Sequence, residues 1–148
     1  MKKFGGSSVT TIEEFNVEEY CGRTLEFCKR LANVDMDYTV ESLARLEPII
    51  QQNRVLKANN IIDDNTAWQL AINFGSYYGE VMLRDSLAVN GYAWQLDESG
   101  IPVLSDAKGI NAIRPITKVY KKIISENEND GEGTLEDNYK IFQMLVSQ

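Results

Sequence analysis

The residues able to do chemistry in this chain are few, and one type is missing: among 148 residues there is no histidine. That removes Ser-His-Asp and Cys-His catalysis, histidine general bases and the commonest zinc and non-haem iron sites. Carboxylates, lysines, tyrosines and the thiols Cys21 and Cys28 remain. On one helix these thiols stand two turns apart, roughly 10 Å along the axis, beyond disulfide reach. A reactive thiol needs a cationic neighbour or a helix N-terminus to lower its pKa. Glu26 and Lys29 flank Cys28 without favouring the thiolate, so both cysteines are expected to be reduced and buried in the core.

Glu80 is the carboxylate best placed for general-base work, lying beside Tyr77 and Tyr78 in an apolar stretch where burial raises a carboxyl pKa. Arg84 stands four residues on, and an i,i+4 Glu–Arg pair stabilises a helix without catalytic meaning. Tyr77, Glu80 and Arg84 therefore form a candidate small-molecule pocket, with no second inward carboxylate to act as acid. The chain is expected not to be an enzyme, and neither a metal nor a cofactor is expected.

Six acidic and no basic residues occur between Glu126 and Asp137, and positions 126–133 read as an acidic loop. The oxygen ligands do not alternate as a calcium loop requires. Glu126, Glu128, Asp130 and Glu132 are instead candidates for steering a basic partner. Asp97 and Glu98, beside Tyr92 and Trp94, form a second candidate partner-binding group. Tyr92 and Trp94 are expected on opposite faces of a short strand, leaving one aromatic exposed as an interface anchor.

The elements that position these residues follow from apolar spacing and caps. Asn16-Val17-Glu18-Glu19 has the form of a capping box, with Phe15 and Tyr20 as a hydrophobic staple, so a helix should begin near Val17 and run to Ala32. Thr39 caps a second helix carrying Val40, Leu43, Leu46 and Ile50, in which Pro48 should impose a kink or a restart and the polar run from Gln51 an exposed end. A third and central helix is expected from Thr66 to Leu87, capped from the Asp63–Thr66 loop, with Gly75 and Gly79 allowing close approach of another backbone. A hairpin follows, with strands at Tyr92–Leu96 and Ile101–Leu104; two strands alone are marginal in water, so it is expected either to pack on helices or to pair with a further strand around Lys108–Ile110. Pro115 opens a helix with Ile116, Val119, Tyr120, Ile123 and Ile124 inward and Lys118, Lys121 and Lys122 outward. Thr134 starts the last one, with Leu135, Tyr139, Phe142, Leu145 and Val146 on one face.

The expected fold is thus α+β and mostly helical, about five helices packed around a long central helix with a small antiparallel β-hairpin. The length suits one domain over 1–148, with 1–10 expected to be flexible. Fifteen basic and 22 acidic side chains give a net charge of −7, which disfavours nucleic acid and favours a basic protein partner. No apolar run approaches the roughly 20 residues of a membrane span, and the start has no secretory pattern, so a cytoplasmic monomer or homodimer is expected.

Lys3-Phe4-Gly5-Gly6-Ser7-Ser8-Val9 resembles the amino-terminal nucleotide-binding signature of aspartate kinases, but the residues that follow read as helix rather than as a βαβ unit. A broader resemblance runs through Asp37-Tyr38-Thr39-Val40-Glu41-Ser42-Leu43, Gly75-Ser76-Tyr77-Tyr78-Gly79-Glu80, Trp94, Pro102 and Lys118-Val119-Tyr120-Lys121. There the chain is similar to small bacterial domains of uncharacterised function, some of which look like immunity proteins that neutralise a toxin of the same cell. The resemblance implies a protein-binding domain that works by occluding a cognate toxin.

Overall fold

The computed structural model describes residues 11–109, 111–126 and 133–146. The glycine-containing stretch at 3–9 and the acidic positions Glu128, Asp130 and Glu132 lie outside these residues, as does Ile110. The described chain is α+β and mostly helical: a 3-10 turn at Ile12–Glu14, α1 (Val17–Ala32), α2 (Ser42–Ala58), α3 (Asp64–Met82), a π-helical turn at Leu83–Leu87, β1 (Ala93–Leu96), β2 (Pro102–Ser105), β3 (Ala112–Ile113), α4 (Pro115–Ile124) and α5 (Leu135–Val146).

Side-chain caps close the starts of α1 and α3, whereas Thr39 closes the turn that leads into α2, whose own N-cap Glu41 makes no side-chain bond. Asn16 Oδ1 accepts from Glu19 N at 3.2 Å, Asp63 Oδ1 from Thr66 N at 2.8 Å, and Thr39 Oγ1 from Ser42 N at 3.2 Å. The Phe15 and Tyr20 rings stack with centroids 5.8 Å apart, completing the staple that fixes the entry of α1.

α3 is the central element, burying 13 of its 19 residues. Its small-residue ridge explains how α4 can lie so close. A Cβ on Gly75 would stand 2.5 Å from Ile116 Cα and 2.9 Å from Ile116 N, so the two helices meet backbone to backbone there. At Gly79 the close neighbour is the Trp94 ring rather than a second backbone. α1 covers another side of α3 through Cys21, Thr24 and Cys28, and Thr24 Oγ1 donates to the Asn73 carbonyl at 2.6 Å.

Several elements depart from their expected form. α2 runs unbroken through Pro48, which stands with Ala44 on the exposed face, so the carbonyl that the missing N–H leaves without a helical partner is open to solvent. Its polar continuation is helical, and Asn53 is buried with its amide donating to the Ile49 carbonyl at 2.9 Å. The α-helical bonding of α3 stops at Met82, and the π-helical turn continues the chain to Leu87. Lys108 and Gly109 lie in a turn rather than a strand, Gly109 taking φ 68° and donating its N–H to the Asp106 carbonyl, and the third strand of the sheet forms at Ala112–Ile113. The sheet is antiparallel in the order β1-β2-β3, with Trp94 opposite Leu104 and Leu104 opposite Ile113.

On α4, Lys122 is buried rather than outward, and Ile124 is 42% exposed rather than inward. Lys122 lies one turn beyond Val119 on the inward face. Its Nζ pairs with Glu47 of α2 at 3.1 Å and donates to the Gly133 carbonyl at 2.8 Å. Glu47 Oε1 also accepts from Leu135 N at 2.9 Å, so one largely covered carboxylate ties α2, α4 and the start of α5 together. Tyr78 donates to Asn138 Oδ1 at 2.7 Å, and the Tyr139 hydroxyl meets Asp85 and Ser86 of the π-helical turn. These bonds seat α5 against the end of α3.

Candidate functional site

The hairpin carries less of a partner surface than its sequence suggests. Tyr92 and Trp94 are separated by one residue, so their side chains share a face of the strand instead of opposing one another. Both are half-buried against the core. Trp94 Nε1 donates to Glu80 Oε2 at 3.0 Å, and its ring packs edge-on to Phe15 with centroids 5.1 Å apart. Trp94 is therefore a fixed internal contact and not an exposed anchor.

Asp97 is also committed internally. Its carboxylate accepts from Ser99 N at 2.8 Å and Ile101 N at 3.0 Å and pairs with Arg114 Nη1 at 2.6 Å. Burial opposes ionisation of this carboxyl, but the Ile101 N–H, the Arg114 guanidinium and the Ser99 N–H together hold it below the usual range. Asp97 closes the β1–β2 turn and ties it to the start of α4, with its side chain only 10% exposed. Glu98 faces solvent. Glu126 is exposed beyond the opposite end of α4, a helix of 10 residues or about 15 Å, so it does not join Asp97 and Glu98 in one acidic face.

The Tyr77, Glu80 and Arg84 side chains are brought together, but by packing on one another and on Tyr38. Tyr77 accepts from Tyr38 N at 2.8 Å and shares a hydrogen bond of 2.6 Å with Ser42. The Arg84 guanidinium lies 3.7 Å from the Tyr38 ring centroid, and its Nε is 3.7 Å from Glu80 Oε1. Tyr38 itself takes φ 64°, a left-handed conformation unusual for an aromatic residue, held by Asp37 and Thr39 on either side and by the Tyr77 hydroxyl. This cluster fixes the α1–α2 connection onto α3. Burial lifts the neighbouring Cys21 thiol to about 12, with Glu80 adding to the rise, and burial alone lifts Cys28 to about 11. Both are neutral thiols at pH 7, as core cysteines should be.

An open surface lies on the other side of α3, between α5 and the β3–α4 junction. Two cavities of about 470 and about 370 Å³ share Ala112, Ile113 and Phe142 and so form one groove along α5. Ile141, Met144 and Leu145 are 54%, 69% and 63% exposed, and their i, i+3, i+4 spacing makes one apolar ridge beside the groove. Leu145 thus faces outward, against the expectation from its spacing; only Leu135 and Tyr139 of α5 are fully buried. Arg114, Lys118 and Lys121, spaced i, i+4, i+7 along α4, line the first cavity together with Pro115 and Ile141. Among the described residues its lining includes no carboxylate. The groove is not evident in the sequence, although the apolar residues of α5 span a wider arc than one core face needs.

No group of three or more potential metal-ligating side chains that could hold an ion occurs among the described residues, and none of their helices is long and apolar enough to cross a membrane. Comparison with protein-family models, with curated proteins and with solved structures gave no match.

Proposed function

We propose that this chain is a protein-binding domain that acts by covering its partner rather than by catalysis. The observation that supports this reading is the apolar ridge of Ile141, Met144 and Leu145, exposed beside an open groove on a folded domain. An apolar centre bounded by charged side chains is the anatomy of a contact surface. It takes precedence over a small-molecule site at Glu80, where Tyr77, Glu80 and Arg84 are already engaged with Tyr38 and Trp94.

The resemblance to immunity proteins supplies the mode of action: in the cytoplasm, the domain occupies a surface that a cognate toxin needs. A net charge of −7 draws a basic protein at long range and repels nucleic acid. Contact energy then comes from the α5 face rather than from the hairpin. Co-expression with the product of the adjacent reading frame tests the proposal. A stoichiometric complex that suppresses that product's toxicity is expected; separate elution of the two chains with toxicity unchanged would sink it.

A further inference from the structure

Asn90-Gly91 closes the turn that follows the π-helical segment, and it is the one place in the sequence where glycine follows asparagine. Such a pair can react with itself. The side-chain amide carbon of asparagine can reach the next backbone nitrogen, and glycine, having no Cβ, leaves that nitrogen unhindered. Both residues are exposed, and Gly91 takes φ 88°. No atom of the described residues lies within 4 Å of where a Gly91 Cβ would stand, so that side of the turn has space for a closing ring. Two hydrogen bonds hold the pair in its unreacted form. Asn90 Nδ2 donates to the Ser86 carbonyl at 2.7 Å, and Gly91 N donates to the Ala88 carbonyl at 3.1 Å.

We infer that Asn90 is a site of spontaneous modification, converted through a cyclic imide to aspartate and isoaspartate when this turn opens locally, and that the conversion loosens the seat of α5. Gly91 N attacks Asn90 Cγ. The N–Cγ bond forms, the Cγ–Nδ2 bond breaks, and ammonia leaves carrying the proton that Gly91 N gives up. Water then opens the ring: attack at Cγ gives aspartate, and attack at the Asn90 backbone carbonyl gives isoaspartate, with one more methylene in the main chain. Water is the only co-reactant, and nothing is oxidised or reduced. Because Asn90 Nδ2 must leave Ser86 and the Gly91 N–H must leave Ala88 before the ring can close, the reaction waits on opening of the turn. Afterwards a carboxylate faces the Ser86 carbonyl where an amide donor stood. The Ser86 hydroxyl shares a hydrogen bond with Tyr139, Tyr139 donates to Asp85, and Gln143 donates to Asp85 at 3.1 Å. Tyr139 and Gln143 belong to α5, so repulsion at the Ser86 carbonyl acts on the bonds that seat that helix. The inference does not depend on the protein-binding reading.

The test is incubation of the intact chain at mildly alkaline pH, folded and unfolded in urea, with conversion at each asparagine read by peptide mapping and mass spectrometry. In urea Asn90 should convert first. In the folded chain it should convert about thirtyfold more slowly, the effect of two hydrogen bonds of ordinary net strength. Gly75→Ala lowers global stability from a distance, since its Cβ would meet Ile116 Cα at 2.5 Å, and should leave the folded rate unchanged. Asn90→Asp, made directly, should exchange its α5 amide hydrogens about fivefold faster than the unaltered chain. Another asparagine converting first would overturn the site. Equal rates folded and unfolded, or a folded rate raised by Gly75→Ala, would overturn control by local opening. Unchanged α5 exchange in Asn90→Asp would overturn the loosening.

Discussion

Replacing Gly75 by alanine sets two effects of opposite sign against each other, and the structure decides between them. Alanine is favoured over glycine inside a helix by about 1 kcal/mol, so on propensity alone α3 should gain. The new methyl would, however, lie 2.5 Å from Ile116 Cα and 2.9 Å from its nitrogen. Ordinary contact would require α3 and α4 to separate by about 1 Å. α4 is not free to move away, because Lys122 pairs with Glu47 at 3.1 Å and Arg114 with Asp97 at 2.6 Å. Overpacking of this kind costs about 1–3 kcal/mol or more, and the obstacle here is backbone rather than a side chain that can rotate. A net loss of about 2 kcal/mol is expected, equivalent to roughly 4–8 °C in melting temperature for a chain of this size. Gly22 is the matched control. It lies inside α1 with open space where a Cβ would stand, no atom being within 4 Å, so Gly22→Ala should stabilise by up to about 1 kcal/mol. Urea unfolding of both variants reads the difference, and a Gly75→Ala protein as stable as the unaltered chain would refute the close helix contact.

Other perturbations test the remaining internal connections. Lys122→Ala leaves Glu47, with a side chain only 12% exposed, to the Gln51 amide and the Leu135 N–H; a loss of about 3 kcal/mol is expected. The double change Lys122→Met with Glu47→Gln should recover much of it, and equal losses in thermal unfolding would show that the pair is not coupled. Cys21, raised to about 12 by burial, should resist a thiol reagent at pH 8 until urea unfolds the chain; rapid native-state labelling would contradict its placement. Because its folded pKa lies above the unfolded one, its contribution is complete below about pH 8.5 and is lost as pH rises towards 12. Asp97 has the opposite sign: its lowered pKa gives stability that is present above about pH 4 and lost as the solution is acidified further. Asp97→Asn should therefore flatten the acid limb of the stability curve, and an unchanged limb would show that the Arg114–Asp97 tie contributes nothing to folding.

Local signals carried much of this fold. The Asn16 and Asp63 caps, the Phe15–Tyr20 staple and the apolar spacing of α3 each depend on residues a few positions apart, and each is found where the spacing puts it, while Thr39 bonds Ser42 N from the turn before α2. Expectation and structure part where the deciding partner is distant in sequence. Lys122 is polar on its own helix but buried because Glu47 meets it, and Trp94 is bound by Glu80 and shaped around Gly79. Pro48 leaves α2 intact, since a proline on an exposed helix face surrenders its hydrogen bond to water. The candidate site was the least legible. The groove is assembled from β3, α4 and α5, and no one segment displays it, although Ile141 and Leu145 beside Phe142 and Val146 already widen the apolar arc of α5 beyond a single core face.

The proposed function depends on the exposed face of α5 as its contact surface. Ile141→Asp with Leu145→Asp places charge on that ridge at positions 54% and 63% exposed, where folding does not depend on them. Titration of the doubly substituted chain against its cognate protein by isothermal calorimetry is the direct measurement. Unaltered thermal unfolding is predicted, with binding weakened by about a hundredfold or more, as loss of a central apolar contact produces. Undiminished binding by the correctly folded double variant would contradict the assignment of α5 as the contact surface.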